Sequence, residues 1–167
     1  MTPFMMRFPE LAEEETRTAF FPEDEIVPRG KYAFLELYCE EKGCDCRRVL
    51  IYVVEERTPK KVWASINFGW DPHAANAAWA GPAGLDAIPS GAFLDPINPQ
   101  SEYAEQFLDF FETMIAHDSA YVERLKRHYA LFKESLGPRK RSWEKPDPER
   151  RAKRPKPQVL LRRRKHR

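Results

Sequence analysis

The sequence predicts an α+β fold, in which a small antiparallel β-meander packs against a C-terminal helical hairpin and a basic tail follows. Three apolar runs with short connections predict the meander, two stretches with helical spacing predict the hairpin, and dense charge with five prolines marks the tail. The 167 residues, 42% hydrophobic and 13% aromatic, suffice for one core but not comfortably for two. We therefore predict a single domain over residues 1–136 and a disordered Pro-rich tail over residues 137–167.

The segment before the meander has weak signals. Residues 10–20 are compatible with a short amphipathic helix, because Leu11, Thr18 and Phe21 fall near one helical face. Strands are predicted at residues 32–39, 48–55 and 61–68, and a turn at residues 57–60 contains Pro59. Residues 69–99, rich in Gly, Ala and Pro, are expected to form a loop with one helical turn through residues 74–79.

Two helices are predicted after this loop. Asn98-Pro99 resembles an N-cap followed by a first-turn proline, and Asp118 or Ser119 is expected to cap the second helix. The second helix ends at Gly137-Pro138. Apolar residues recur at helical spacing in both, so we interpret them as core-facing stripes and not as a cofactor site. They are Tyr103, Phe107, Phe110, Phe111, Met114 and Ile115 in the first helix, and Val122, Leu125, Tyr129, Phe132 and Leu136 in the second.

The near-neutral net charge of +2 hides two opposed parts. Residues 137–167 hold fourteen Lys or Arg and three acidic residues, net +11, which leaves 14 basic and 23 acidic residues, net −9, in residues 1–136. A basic arm of this kind can replace counterions on phosphate backbones, which predicts RNA or DNA as a partner. The alternatives are an acidic protein surface, the acidic body itself, or a solubilising extension. The residues that would contact nucleic acid are Arg162, Arg163, Arg164, Lys165 and Arg167.

All three cysteines of the chain, Cys39, Cys44 and Cys46, fall within eight residues. Cys39 is predicted to close the first strand, while Cys44 and Cys46 precede the second. A loop containing Gly43 would let the three sulfurs converge at the tip of a hairpin. Zinc favours four tetrahedral ligands, thiolates among them, so this spacing predicts a structural zinc site.

Three cysteines leave one ligand to be found. We favour His128, because it shares the predicted sheet-facing side of the second helix with Tyr121, Leu125 and Phe132. His117, at the turn between the helices, is the second choice. The remaining candidates are His73, His166 and Asp45.

Two other interpretations of the cysteines stay open. Arg47 and Arg48 would offset the charge of three thiolates and lower the thiol pKa, which favours metal binding but also favours a redox or catalytic cysteine. The three cysteines would otherwise be ordinary half-buried residues. His128 alone would more often be a core histidine than a ligand. Asp71-Pro72-His73 is better interpreted as a surface turn than as an acid–base pair.

The sequence resembles an uncharacterised bacterial family over residues 30–136. The resemblance rests on Tyr38-Cys39 followed, after four intervening residues, by Cys44-Asp45-Cys46-Arg47-Arg48, on residues 64–70, and on residues 121–129. Members of that family often end in a SEC-C motif, a short zinc-binding segment. This chain has no cysteine after Gly137, and its basic tail stands in the corresponding position. The resemblance implies the fold and the metal site, and it implies no role.

Several classes of protein are disfavoured. The absence of any apolar run near 18 residues argues against a membrane span, and the first residues have no secretory pattern. An odd number of cysteines indicates a reducing cytoplasm more than a disulfide framework. No GxGxxG, Walker, HExxH or GxSxG motif is present. The sequence thus predicts a cytoplasmic, non-enzymatic zinc-binding interaction module, with a metal- or cysteine-dependent enzyme as the alternative.

Overall fold

The computed structural model describes residues 1–23, 26–71 and 91–137. Six strands and three helices form there, which confirms the predicted α+β class. In chain order they are β1 (Thr2–Pro3), α1 (Pro9–Glu15), β2 (Arg17–Phe21), β3 (Gly30–Tyr38), β4 (Arg48–Glu55), β5 (Thr58–Gly69), β6 (Gly91–Leu94), α2 (Ala104–His117) and α3 (Ser119–Ser135). A 3-10 turn, Phe4–Met6, lies between β1 and α1.

The strands form one antiparallel sheet in the order β1-β3-β4-β5-β6, with β2 also paired to β3. The predicted meander is its centre, because β3 pairs with β4 and β4 with β5. The sheet is wider than predicted at both edges. Residues 17–20, predicted to belong to a helix of residues 10–20, instead form β2 together with residue 21, paired with residues 30–34 of β3. The helix ends at Glu15, because Thr16 has an extended backbone and leads into the strand.

The other unexpected edge strand lies in the predicted loop of residues 69–99. Residues 91–94 of β6 pair with residues 66–69 of β5. The pairing is continued by a side chain, since the Gln100 amide accepts from Ser65 N and donates to Ser65 O, both at 2.9 Å. Hydrophobic periodicity carries no signal for such pairing. The helical turn predicted through residues 74–79 lies outside the described residues.

The helical hairpin is confirmed, but one predicted cap is wrong. Asn98 and Pro99 bond to neighbouring strands and loops, and α2 begins five residues later with no side-chain cap. Asp118 does cap α3, accepting from Tyr121 N at 2.9 Å. Gly137 ends that helix region with a φ of +68°, a conformation that favours glycine.

The hydrophobic core lies between one face of the sheet and the two C-terminal helices. Phe111 of α2 contacts Phe34 of β3 and Phe68 of β5, with ring centroids 6.2 and 5.7 Å apart. Leu125 and Phe132 of α3 are fully buried in the same cluster. This packing brings α3 alongside the end of β3, which is where the cysteine-bearing loop begins.

Candidate metal centre

The three cysteines converge in the loop between β3 and β4. Cys39 follows directly after Tyr38, the last residue of β3, while Cys44 and Cys46 lie just before Arg48, the first residue of β4. The chain reverses at Gly43, whose φ is +82°. The three Sγ atoms all lie within 4.8 Å of one another. The predicted convergence at a hairpin end is therefore present.

This geometry is compatible with a metal ion. In a tetrahedral zinc site with Zn–S bonds near 2.3 Å, neighbouring sulfurs lie about 3.8 Å apart. The sulfurs would have to approach one another by about 1 Å at most. None of the three is in a disulfide, and Cys46 is only 1% exposed while Cys39 and Cys44 are partly buried. Three nearby thiols are a suitable soft donor set for zinc.

The structure overturns one expectation about these thiols. Burial, together with the neighbouring Cys44 and Cys39 sulfurs, raises the pKa of Cys46 to about 12. The pKa of Cys44 is raised as well, again by burial first. Arg48 does lower the pKa of Cys46 through its backbone N–H, as an adjacent arginine was predicted to do, but burial outweighs this and the net shift at Cys44 and Cys46 is upward. Both are protonated at neutral pH without a metal, which disfavours a reactive cysteine.

Both arginine side chains also have partners outside the cysteine group. The Arg47 guanidinium donates to both carboxylate oxygens of Asp45, at 3.0 and 2.9 Å, and also bonds Asp71. Arg48 is buried and its Nε donates to Asn67 Oδ1 at 2.8 Å. Arg47 is thus engaged by carboxylates instead of thiols.

His128 lies on the sheet-facing side of α3, as predicted, but in a different cluster. Its Nδ1 is 2.7 Å from Glu36 Oε2, and its Nε2 is 3.2 Å from Glu15 Oε2. The ring is 1% exposed and stacks on Phe4 with centroids 4.2 Å apart. Both nitrogens already have carboxylate partners, so this geometry does not support the prediction that His128 is the fourth ligand.

The other candidate fourth ligands are also engaged or lie elsewhere. His117 is exposed at the end of α2, with Nδ1 2.8 Å from Thr113 O. The Asp45 carboxylate is held by Arg47. Among the residues that the structure describes, no further Cys, His, Asp or Glu joins the sulfur group. His73 and His166 lie outside those residues, as do Arg162, Arg163, Arg164, Lys165 and Arg167.

Sequence reasoning missed two residues of α3 that hold the cysteine loop. Lys133 Nζ donates to Cys39 O at 3.2 Å and to Glu41 O at 2.9 Å. The Tyr129 hydroxyl oxygen lies 3.5 Å from the backbone nitrogen of Arg47. Helical spacing places Tyr129 and Lys133 on one face, four residues apart. That spacing could have grouped Tyr129 with Lys133, but it does not show which loop the two side chains contact.

The comparisons with known proteins found no match, so the candidate site is interpreted from its geometry alone. The chain matches no protein-family model, no curated protein and no solved structure. The resemblance to the bacterial family with the SEC-C motif thus stays a prediction. No helix in the described part of the chain is long and apolar enough to cross a membrane.

Proposed function

We propose that this protein is a non-enzymatic interaction module in which Cys39, Cys44 and Cys46 bind zinc. The observation that carries the proposal is the convergence of the three sulfurs within 4.8 Å at one end of the sheet. The metal would cross-link the end of β3 to the start of β4, next to α3. Metal binding then contributes folding free energy, because the unfolded chain does not hold the three thiols together.

The experiment is metal analysis of the purified, untagged protein. We expect about one zinc per chain in the wild type and none in Cys44→Ser. The matched control is His128→Gln, which alters a buried polar residue of α3 but leaves the cysteines in place. Zinc retained by Cys44→Ser, or a metal-free wild type purified under reducing conditions, would reject the proposal. Zinc lost from folded His128→Gln would restore His128 as a ligand.

The basic tail supplies the interaction part of this proposal. With net +11 opposite a body of net −9, it would contact nucleic acid or an acidic protein. We expect RNA or DNA binding that weakens steeply with salt and disappears on truncation after Leu136. Binding that persists in the truncated body, or that ignores salt, would contradict this role. The three free thiols are suited to a reducing compartment, which is the basis for proposing the cytoplasm.

The enzyme alternative has two forms, a reactive cysteine and an open catalytic zinc position, and the thiol pKa values oppose the first form at two of the three cysteines. A cysteine nucleophile needs a thiolate at working pH, and the raised pKa values of Cys44 and Cys46 oppose that. A metal-dependent enzyme would need a zinc coordination position that no protein side chain occupies, so that water or substrate can bind there.

A further inference from the structure

The described residues supply three of the four ligands that zinc prefers. The fourth-ligand candidates that the structure describes have other partners. His128 lies between two carboxylates, and Asp45 is bound by Arg47 at two points. The fourth ligand of a metal at this cluster must therefore come from elsewhere.

A solvent-open cleft lies directly beside the cluster. Its volume is about 320 Å³, which is within the range of small-molecule sites. Cys44 forms part of its wall, so the cleft adjoins the cysteine cluster. The wall also includes Lys42, Gly43, Asp45, Tyr129, Lys133, Leu136 and Gly137.

Two lysine side chains line this cleft and can attract an anion. Lys133 uses two of its three ammonium protons on backbone oxygens, which leaves one donor. Lys42 is exposed on the other side of the wall. The single acid in the wall, Asp45, is paired with Arg47, whose guanidinium also bonds Asp71. A carboxylate oxygen is also an accepted zinc ligand, at about 2.0–2.2 Å.

We propose that the fourth coordination position of the zinc opens into this cleft and takes the carboxylate of a small molecule. The proposal rests on the zinc-binding function above and names its ligand class. In the exchange a zinc–water bond breaks, a zinc–carboxylate oxygen bond forms, and no electrons are transferred. Lys42 and Lys133 attract and hold the carboxylate, and the three cysteines hold the metal.

The test uses the full chain loaded with Co²⁺ in place of zinc, because the visible absorption of Co²⁺ reports its ligands. Acetate is the probe, titrated at constant ionic strength maintained with perchlorate. We expect a saturable change in the absorption band of the wild type. Lys42→Gln should weaken the apparent acetate affinity about two- to fivefold, the effect of one exposed charge pair. Lys126→Gln changes a half-buried lysine of α3 that pairs with Glu123 outside the cleft wall, and this variant should respond like the wild type.

The outcomes separate this inference from the proposed function. A protein that binds neither zinc nor Co²⁺ fails the proposed function. A protein that binds Co²⁺ but shows no acetate response keeps the metal site and overturns the open position. A response that is equal in Lys42→Gln and the wild type overturns the assignment to this cleft. If the Co²⁺ absorption band of His73→Ala differs from that of the wild type before acetate is added, then His73 is itself the fourth ligand. That result would also overturn the inference.

Discussion

Two polar clusters lie on either side of the end of β3, and they differ in how far the protein satisfies them. In one, His128 has a carboxylate on each ring nitrogen, and Tyr38 hydroxyl lies 2.8 Å from the same Glu36 oxygen. In the other, three thiols lie together and make only weak hydrogen bonds. The first cluster is complete as folded. The second presents three sulfur atoms that could bind a metal ion, and the described residues supply no fourth ligand.

This difference separates a structural histidine from a candidate metal site, although both lie against α3. His128 faces the carboxylates, while its neighbour Tyr129 and Lys133 one turn later face the cysteine loop. One helix therefore supports both clusters from adjacent faces. Changes to one cluster should leave the chemistry of the other intact, which makes the comparison testable.

The largest effect is expected from His128→Ala. The change removes a buried ring that stacks on Phe4 and leaves the buried Glu36 carboxylate with the Tyr38 hydroxyl but without the histidine. Breaking a buried pair in this way costs about 3–5 kcal/mol. Urea unfolding followed by circular dichroism measures the loss, and metal analysis of the folded variant should show the zinc of the wild type.

Glu15→Gln is the matched control for that experiment. The Glu15 side chain is 27% exposed and contacts the other nitrogen of the same ring. Its loss should cost less than about 1 kcal/mol, because solvent screens exposed pairs. Equal costs for the two variants would show that the buried carboxylate is not what makes His128 structural.

The second effect is the stabilisation by zinc. At a free zinc concentration one hundred times the Kd, binding raises the free energy of unfolding by about 2.7 kcal/mol. We expect this gain in the wild type, and no gain in Cys46→Ser, where the most buried sulfur of the group is replaced. Thermal unfolding with zinc and with a chelator gives the difference within each protein, so the cost of the substitution itself cancels. A zinc-dependent shift that survives in Cys46→Ser would place the metal elsewhere.

The parts of the fold that sequence reasoning predicted are those with strong periodicity. The apolar runs of β3 to β5 and the stripes of α2 and α3 were identified, because burial of one face imposes a regular pattern. The edges were missed. The strand of residues 17–21 is short and half-exposed. Past the end of β6, the edge of β5 is paired at Ser65 by the Gln100 side chain and not by another strand. Neither leaves a periodic signal.

The candidate site was half predictable for a related reason. Cysteine spacing within one hairpin is local, so the convergence of Cys39, Cys44 and Cys46 follows from the loop. The partners of His128 are not local, since Glu36 and Glu15 lie 92 and 113 residues away in the chain. Helical spacing showed that His128 faces the sheet. It could not show that two carboxylates would meet the ring there.

The smallest effect concerns the start of α3, the helix shared by both clusters. The backbone N–H of Tyr121 and the guanidinium of Arg17 hold the pKa of the Asp118 carboxyl below its ordinary value of 3.8. The ionised form is thus favoured by folding. Its contribution to stability is complete above the ordinary pKa and is lost as the pH falls through the lower folded-state pKa.

Asp118→Asn tests this link, because the amide oxygen can still accept the Tyr121 N–H while the charge is gone. The variant should lose less stability than the wild type when the pH is lowered from 7 to 3, as measured by urea unfolding. Part of the acid sensitivity should remain, since Arg57 also lowers the pKa of Glu55 in the sheet. An unchanged pH dependence would show that the cap acts through its hydrogen bond alone. In that case the charge of Asp118 would not contribute to the stability of α3, the helix that both clusters share.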